Sequence, residues 1–72
     1  MIEFMETFRK VPGLQLFIKF HNERWWIDVT APDTSEKHGT MQAAHGMDFD
    51  REKAFAMALD SLKNYIKQEV LK

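Results

Sequence analysis

The chain has 72 residues, no cysteine, ten Lys and Arg against eleven Asp and Glu, and 44% apolar side chains. A chain this short buries only about 60% of the surface it exposes when unfolded, so it makes one domain, residues 1–72, with a small core; without cysteine, neither a disulfide framework nor a thiolate zinc site reinforces it. The formal net charge of −1 excludes a long-range field drawing the protein to nucleic acid or anionic lipid, and the ordinary globular composition excludes disorder as the resting state.

The longest uncharged stretches fall far short of the roughly 18 apolar residues of a membrane span. The amino terminus carries acids, Glu3 and Glu6, where a secretory signal carries lysines. A cytoplasmic protein that meets no membrane is expected. No internal repeat or low-complexity tract is present.

Residues 1–11 place Phe4, Phe8 and Val11 at i, i+4 and i+7, with Met1 and Met5 adjoining, and this spacing predicts a short amphipathic helix. Ile2 and Phe4 also alternate with Glu3, which leaves a strand as the alternative. Pro12-Gly13 ends the segment either way.

A hairpin follows over 14–31. Leu14, Leu16, Ile18 and Phe20 alternate along its first arm and Trp25, Ile27, Val29 and Ala31 along its second. With the turn centred on Asn22-Glu23, the facing pairs are Phe20 with Trp25, Ile18 with Ile27, Leu16 with Val29 and Leu14 with Ala31, so every inward pair is apolar and the register is well specified. The outward face then carries Gln15, Phe17, Lys19, Trp26, Asp28 and Thr30.

Pro32 through Gly39 reads as a polar loop of turn-forming residues. From His38 to Gly46 a short third strand of small residues is expected, with Met41, Ala43 and His45 on one face and Thr40, Gln42 and Ala44 on the other. Small residues are what a helix crossing closely over a sheet requires. From about Asp50 to Leu71 the helical signal is strong, because Phe55, Ala58, Leu59, Leu62, Ile66 and Val70 fall within about 120° of one another. Asp50 is the expected N-cap, with Asp48 as its competitor, while Lys63, Lys67 and Lys72 lie toward the carboxyl end that favours cations. The elements run α-β-β-β-α, an α+β domain with a long helix across a three-stranded antiparallel sheet. Ile18, Ile27, Phe55, Leu59 and Leu62 are the expected core.

This order, together with the run Gly46-Met47-Asp48-Phe49-Asp50-Arg51-Glu52-Lys53-Ala54-Phe55-Ala56-Met57-Ala58-Leu59, resembles the third-strand-to-last-helix region of double-stranded-RNA-binding domains. The resemblance covers most of the chain as topology and implies that fold. That family grips phosphates with lysines at the start of its last helix, where this chain has Asp50, Arg51, Glu52 and Lys53. It also places a histidine-bearing Gly-Pro loop between its first two strands, where His21-Asn22-Glu23-Arg24 stands here. A looser likeness, carried by Gly46 closing the third strand before the alanine-bearing helix at Ala54, is to antitoxin-related domains of the HicB kind. That patterning is common in small bacterial and phage accessory proteins, and it implies a partner-binding role without catalytic residues.

Phe17 and Trp26 are diagonal neighbours on the outward face, with Lys19 opposite Trp26. Aromatic residues on the sheet face that folding does not need point to a contact with another protein, to cover by the amino-terminal helix, or to a base-stacking platform. Met57 and Leu71 lie on the helix side away from its core stripe.

Three histidines, His21, His38 and His45, lack the spacing of a zinc site and have no cysteine to complete one, so no metal or other cofactor is expected. Thr34, Ser35, Glu36 and His38 are neighbours in a loop rather than an oriented triad, and helix capping accounts for Asp48, Asp50 and Glu52. The sequence therefore predicts a non-enzymatic interaction protein, a regulator, inhibitor or accessory subunit that binds through Phe17, Lys19, Arg24 and Trp26. The alternatives are a structural homodimer and an RNA-binding domain.

Overall fold

The computed structural model describes residues 2–32 and 40–70. The elements are α1 (Ile2–Arg9), β1 (Gln15–His21), β2 (Arg24–Pro32), β3 (Thr40–Asp48) and α2 (Arg51–Tyr65), and α2 continues as a π-helical turn, Ile66–Val70. The three strands form one antiparallel sheet in the order β1-β2-β3. The α-β-β-β-α order read from the sequence is the order observed.

The hairpin has the expected register: Phe20 faces Trp25, Ile18 faces Ile27 and Leu16 faces Val29. Asn22 and Glu23 both have positive φ, 53° and 61°, the signature of a two-residue turn of type I′, whose twist matches that of the flanking strands. The ladder begins at Gln15, so Leu14 precedes it, and Ala31 pairs with Met41 of β3.

The third strand departs from simple alternation. Its register slips between Val29 and Thr30: Val29 faces Ala44 whereas Thr30 faces Gln42, so Ala43 is the extra residue of a β-bulge. Ala43 and Ala44 are both buried as a result, and Gln42 and His45, expected on opposite faces, share the outer one. The strand also runs to Asp48 rather than stopping at Gly46.

Helix α2 starts at the expected cap, where Asp50 accepts a hydrogen bond from the Glu52 amide at 2.9 Å. The competing Asp48 instead accepts from the Asp50 amide at 2.9 Å, which fixes the entry into the helix. Ala54, Phe55, Ala58 and Leu62 of α2 bury against Ile27 and Val29 of β2 and the alanines of β3. Gly46 permits this approach, because a Cβ there would stand 2.7 Å from the Ala58 backbone nitrogen.

The amino-terminal segment is a helix, and it packs on α2 on the same side of the sheet. Phe4 is fully buried with its ring edge-on to Phe55 at 5.3 Å, Phe8 stacks beside it, and Lys63 pairs with Glu3 at 3.3 Å. The exposed ion pair adds little; the buried ring holds the helix in place.

One core expectation is corrected. Ile18 is 50% exposed and Phe20 59%, although the facing Ile27 is fully buried. Helix α2 crosses β3 and β2 and leaves β1 uncovered, so the apolar face of the first strand extends beyond the helix layer. Leu59 is half-buried at the margin of the core rather than in its centre.

Candidate functional site

Because both helices lie on one side, the opposite face of the sheet has no element packed on it among the described residues. Strand alternation places Phe17, Lys19, Trp26, Asp28 and Thr30 of the hairpin on that face, and the bulge adds Gln42, His45 and Met47. Phe17 is 55% exposed and sits directly opposite Asp28. Trp26 is half-buried between Lys19 and Met47, and its indole N–H donates to the His21 carbonyl at 3.2 Å. This bond fixes the ring near the hairpin end of the face.

Asp28 organises the middle of the face. Its Oδ1 accepts from Gln42 Nε2 at 2.8 Å and lies 2.7 Å from His45 Nδ1, joining β2 to β3 on both sides of the bulge. A carboxylate can only accept, so the imidazole presents Nδ1–H to it. The His45 ring lies 6.3 Å from that of Trp26. The arrangement is a strut between strands that also supports the tryptophan.

Of the four residues singled out from sequence, Phe17, Lys19 and Trp26 share the open face. Arg24 stands at its hairpin end, where the guanidinium lies 4.8 Å above the Phe49 ring. That contact occupies the cation with an intramolecular partner. On the helix side of the same end, Arg51 lies 5.8 Å from the Trp25 ring, which in turn packs against Phe20 at 5.0 Å. Phe49, Phe20 and Ile18 were not anticipated as surface residues, yet Phe49 is 63% exposed. For Ile18 and Phe20 the signal in the sequence was an apolar stripe longer than the helix that covers it.

Among the described residues, no three His, Cys, Asp or Glu side chains cluster as metal ligands. His38, the Thr34-Ser35-Glu36 group and Leu71 lie outside the described residues, whereas Met57 is on the exposed side of α2 as expected. No described helix is long and apolar enough to cross a membrane. No protein-family model, curated protein or solved structure matches the chain.

Proposed function

We propose that this chain is a non-enzymatic protein-interaction module, a cytoplasmic regulator, inhibitor or accessory subunit that presents Phe17, Lys19 and Trp26 to another protein, with Arg24 at the edge of the contact. The observation that carries this reading is the uncovered sheet face: the amino-terminal helix, one of the candidates to cover Phe17, is instead pinned to α2 by Phe4. Exposed aromatic side chains on a rigid sheet lose little entropy on binding, and aromatics are enriched at interface centres.

RNA binding is the weaker reading. The likeness to double-stranded-RNA-binding domains is proposed as one of fold, because the start of α2 is occupied by the carboxylates of Asp48 and Asp50. An acid-capped helix start repels the phosphate that such a domain must grip.

Capture from host lysate, with and without nuclease and across a salt series, compares the native chain with the Phe17→Ser/Trp26→Ser variant. Nuclease-resistant, salt-tolerant capture of one protein that the double variant loses is the expected result. Retention on RNA that falls steeply with salt would replace this reading with the nucleic-acid one.

A further inference from the structure

Among the described residues, the outer edge of β1 is an unpaired sheet edge. In a two-residue hairpin the residues flanking the turn form a hydrogen-bonded pair, here His21 with Arg24, and such pairs alternate along the ladder. Lys19 with Trp26 and Phe17 with Asp28 follow in that phase, so the N–H and C=O groups of Leu16, Ile18 and Phe20 point away from β2. Proteins blunt such edges with proline, bulges or charge. Strand β1 has no proline or bulge, and Lys19 is its only Lys, Arg, Asp or Glu. The other edge is guarded: β3 is interrupted by its bulge and covered by α2, whose Ser61 hydroxyl accepts from the His45 amide at 3.2 Å.

The same three residues carry the apolar stripe of β1, where Leu16 packs at the core margin and Ile18 and Phe20 are at least half exposed. We infer that β1 pairs antiparallel with β1 of a second copy of this chain, about a two-fold axis through Ile18, to give a continuous six-stranded sheet. Self-complementarity selects this occupant and this register. With Ile18 opposite the partner's Ile18, Leu16 meets the partner's Phe20 and all three free residues use both backbone groups. On the outer face Lys19 then lies opposite the partner's Phe17, a cation over an aromatic rather than over another cation. Sliding the strands one way brings Lys19 against the partner's Lys19, a like-charge pair; sliding them the other way leaves Phe20 beyond the partner's ladder. On the helix side the two bare stripes form one apolar floor between the two α2 helices.

This inference stands on the strand edge and is independent of the partner proposed for the outer face, which the dimer would leave open and double in extent. Sedimentation of the native chain is expected to give twice its 8.5 kDa mass at micromolar concentration. Ile18→Lys should return the mass to a single chain, with unchanged circular dichroism because the site is half exposed. Mixing Ile18→Lys with Ile18→Glu should restore the dimer, since each residue 18 faces its own counterpart only in this register.

Ile18→Cys supplies a second test in a chain free of cysteine. Directly opposed residues in a hydrogen-bonded antiparallel pair have Cα atoms about 5.5 Å apart, within disulfide range, so mild oxidation should link two chains rapidly. Met57→Cys, exposed on α2, should not link them at that rate. If Ile18→Lys fails to fold, this comparison decides the matter. A single-chain mass for the native protein throughout the micromolar range would overturn the inference, as would equal cross-linking at the two sites. So would a dimer that survives Ile18→Lys but dissociates in Phe17→Ser/Trp26→Ser, because it would be held by the outer face.

Discussion

Gly46 and Ala54 meet where α2 crosses β3, so closely that a Cβ on the glycine would overlap the Ala54 carbonyl oxygen and stand 2.7 Å from the Ala58 nitrogen. The obstruction is backbone, which cannot rotate aside. The helix must lift or the strand must bend.

Gly46→Ala should therefore destabilise the domain by about 3 kcal/mol, the upper part of the range for overpacked cores. The gain of roughly 0.5–1 kcal/mol from replacing glycine in a strand is too small to offset it. Urea unfolding measures the difference. A variant within 1 kcal/mol of the native chain, on the order of the glycine gain alone, would show that α2 does not press on β3 as described.

Leu62 and Leu59 look alike in the helical stripe, but only Leu62 is fully buried. Leu62→Ala should cost about 2–5 kcal/mol, a large part of a small domain's stability, whereas Leu59→Ala should cost less than about 2 kcal/mol because its cavity opens to water. Equal losses in thermal or urea unfolding would mean that the helix is rotated from the position found.

Periodicity made the hairpin register, the α2 stripe and the Asp50 cap legible, since each rests on residues close in sequence. It did not show where coverage stops. Strands β1 and β2 alternate equally well, yet Ile27 is buried and Ile18 is half exposed, because the path of α2 over the sheet depends on Gly46 and the alanines of β3. The bulge escaped for a related reason: Ala43-Ala44 has no polar partner to reveal its phase, and Gln42 and His45 become neighbours only after one residue is skipped. Of the candidate face, Phe17, Lys19 and Trp26 were readable from the hairpin alone, while Gln42 and His45 were not.

Asp28 holds Gln42 and His45 together across the bulge. Asp28→Ala should cost about 1 kcal/mol: two hydrogen bonds are lost, but in a half-exposed site water replaces much of each. Hydrogen exchange should quicken most over Gln42 to Ala44, next to the bulge. Uniform quickening across the sheet would mean that Asp28 supports the fold generally rather than this junction.

The two acids before α2 should differ in effect. Asp50→Ala removes a bond to an otherwise unpaired helix amide and should cost about 1 kcal/mol, within the usual range for an N-cap. Asp48→Ala should cost less, because the Asp50 amide it serves is exposed and can turn to water. If unfolding gives the reverse order, Asp48 is the residue that starts the helix.

Glu23 has a φ of 61° at the second central position of the turn, a conformation that costs an ordinary L-residue roughly 1–2 kcal/mol. Asn22, at 53°, is of a type that tolerates it. Glu23→Gly should stabilise the domain by about 0.5–1 kcal/mol after the extra unfolded-state freedom of glycine is subtracted, while Asn22→Gly should change little. For a domain of this size that is a rise in melting temperature of roughly 2–8 °C. Because the turn fixes the register that sets Phe17, Lys19 and Trp26 on one face, a relaxed turn should leave partner capture unchanged. A loss of stability in Glu23→Gly would show that the glutamate side chain makes a contact outweighing its backbone strain.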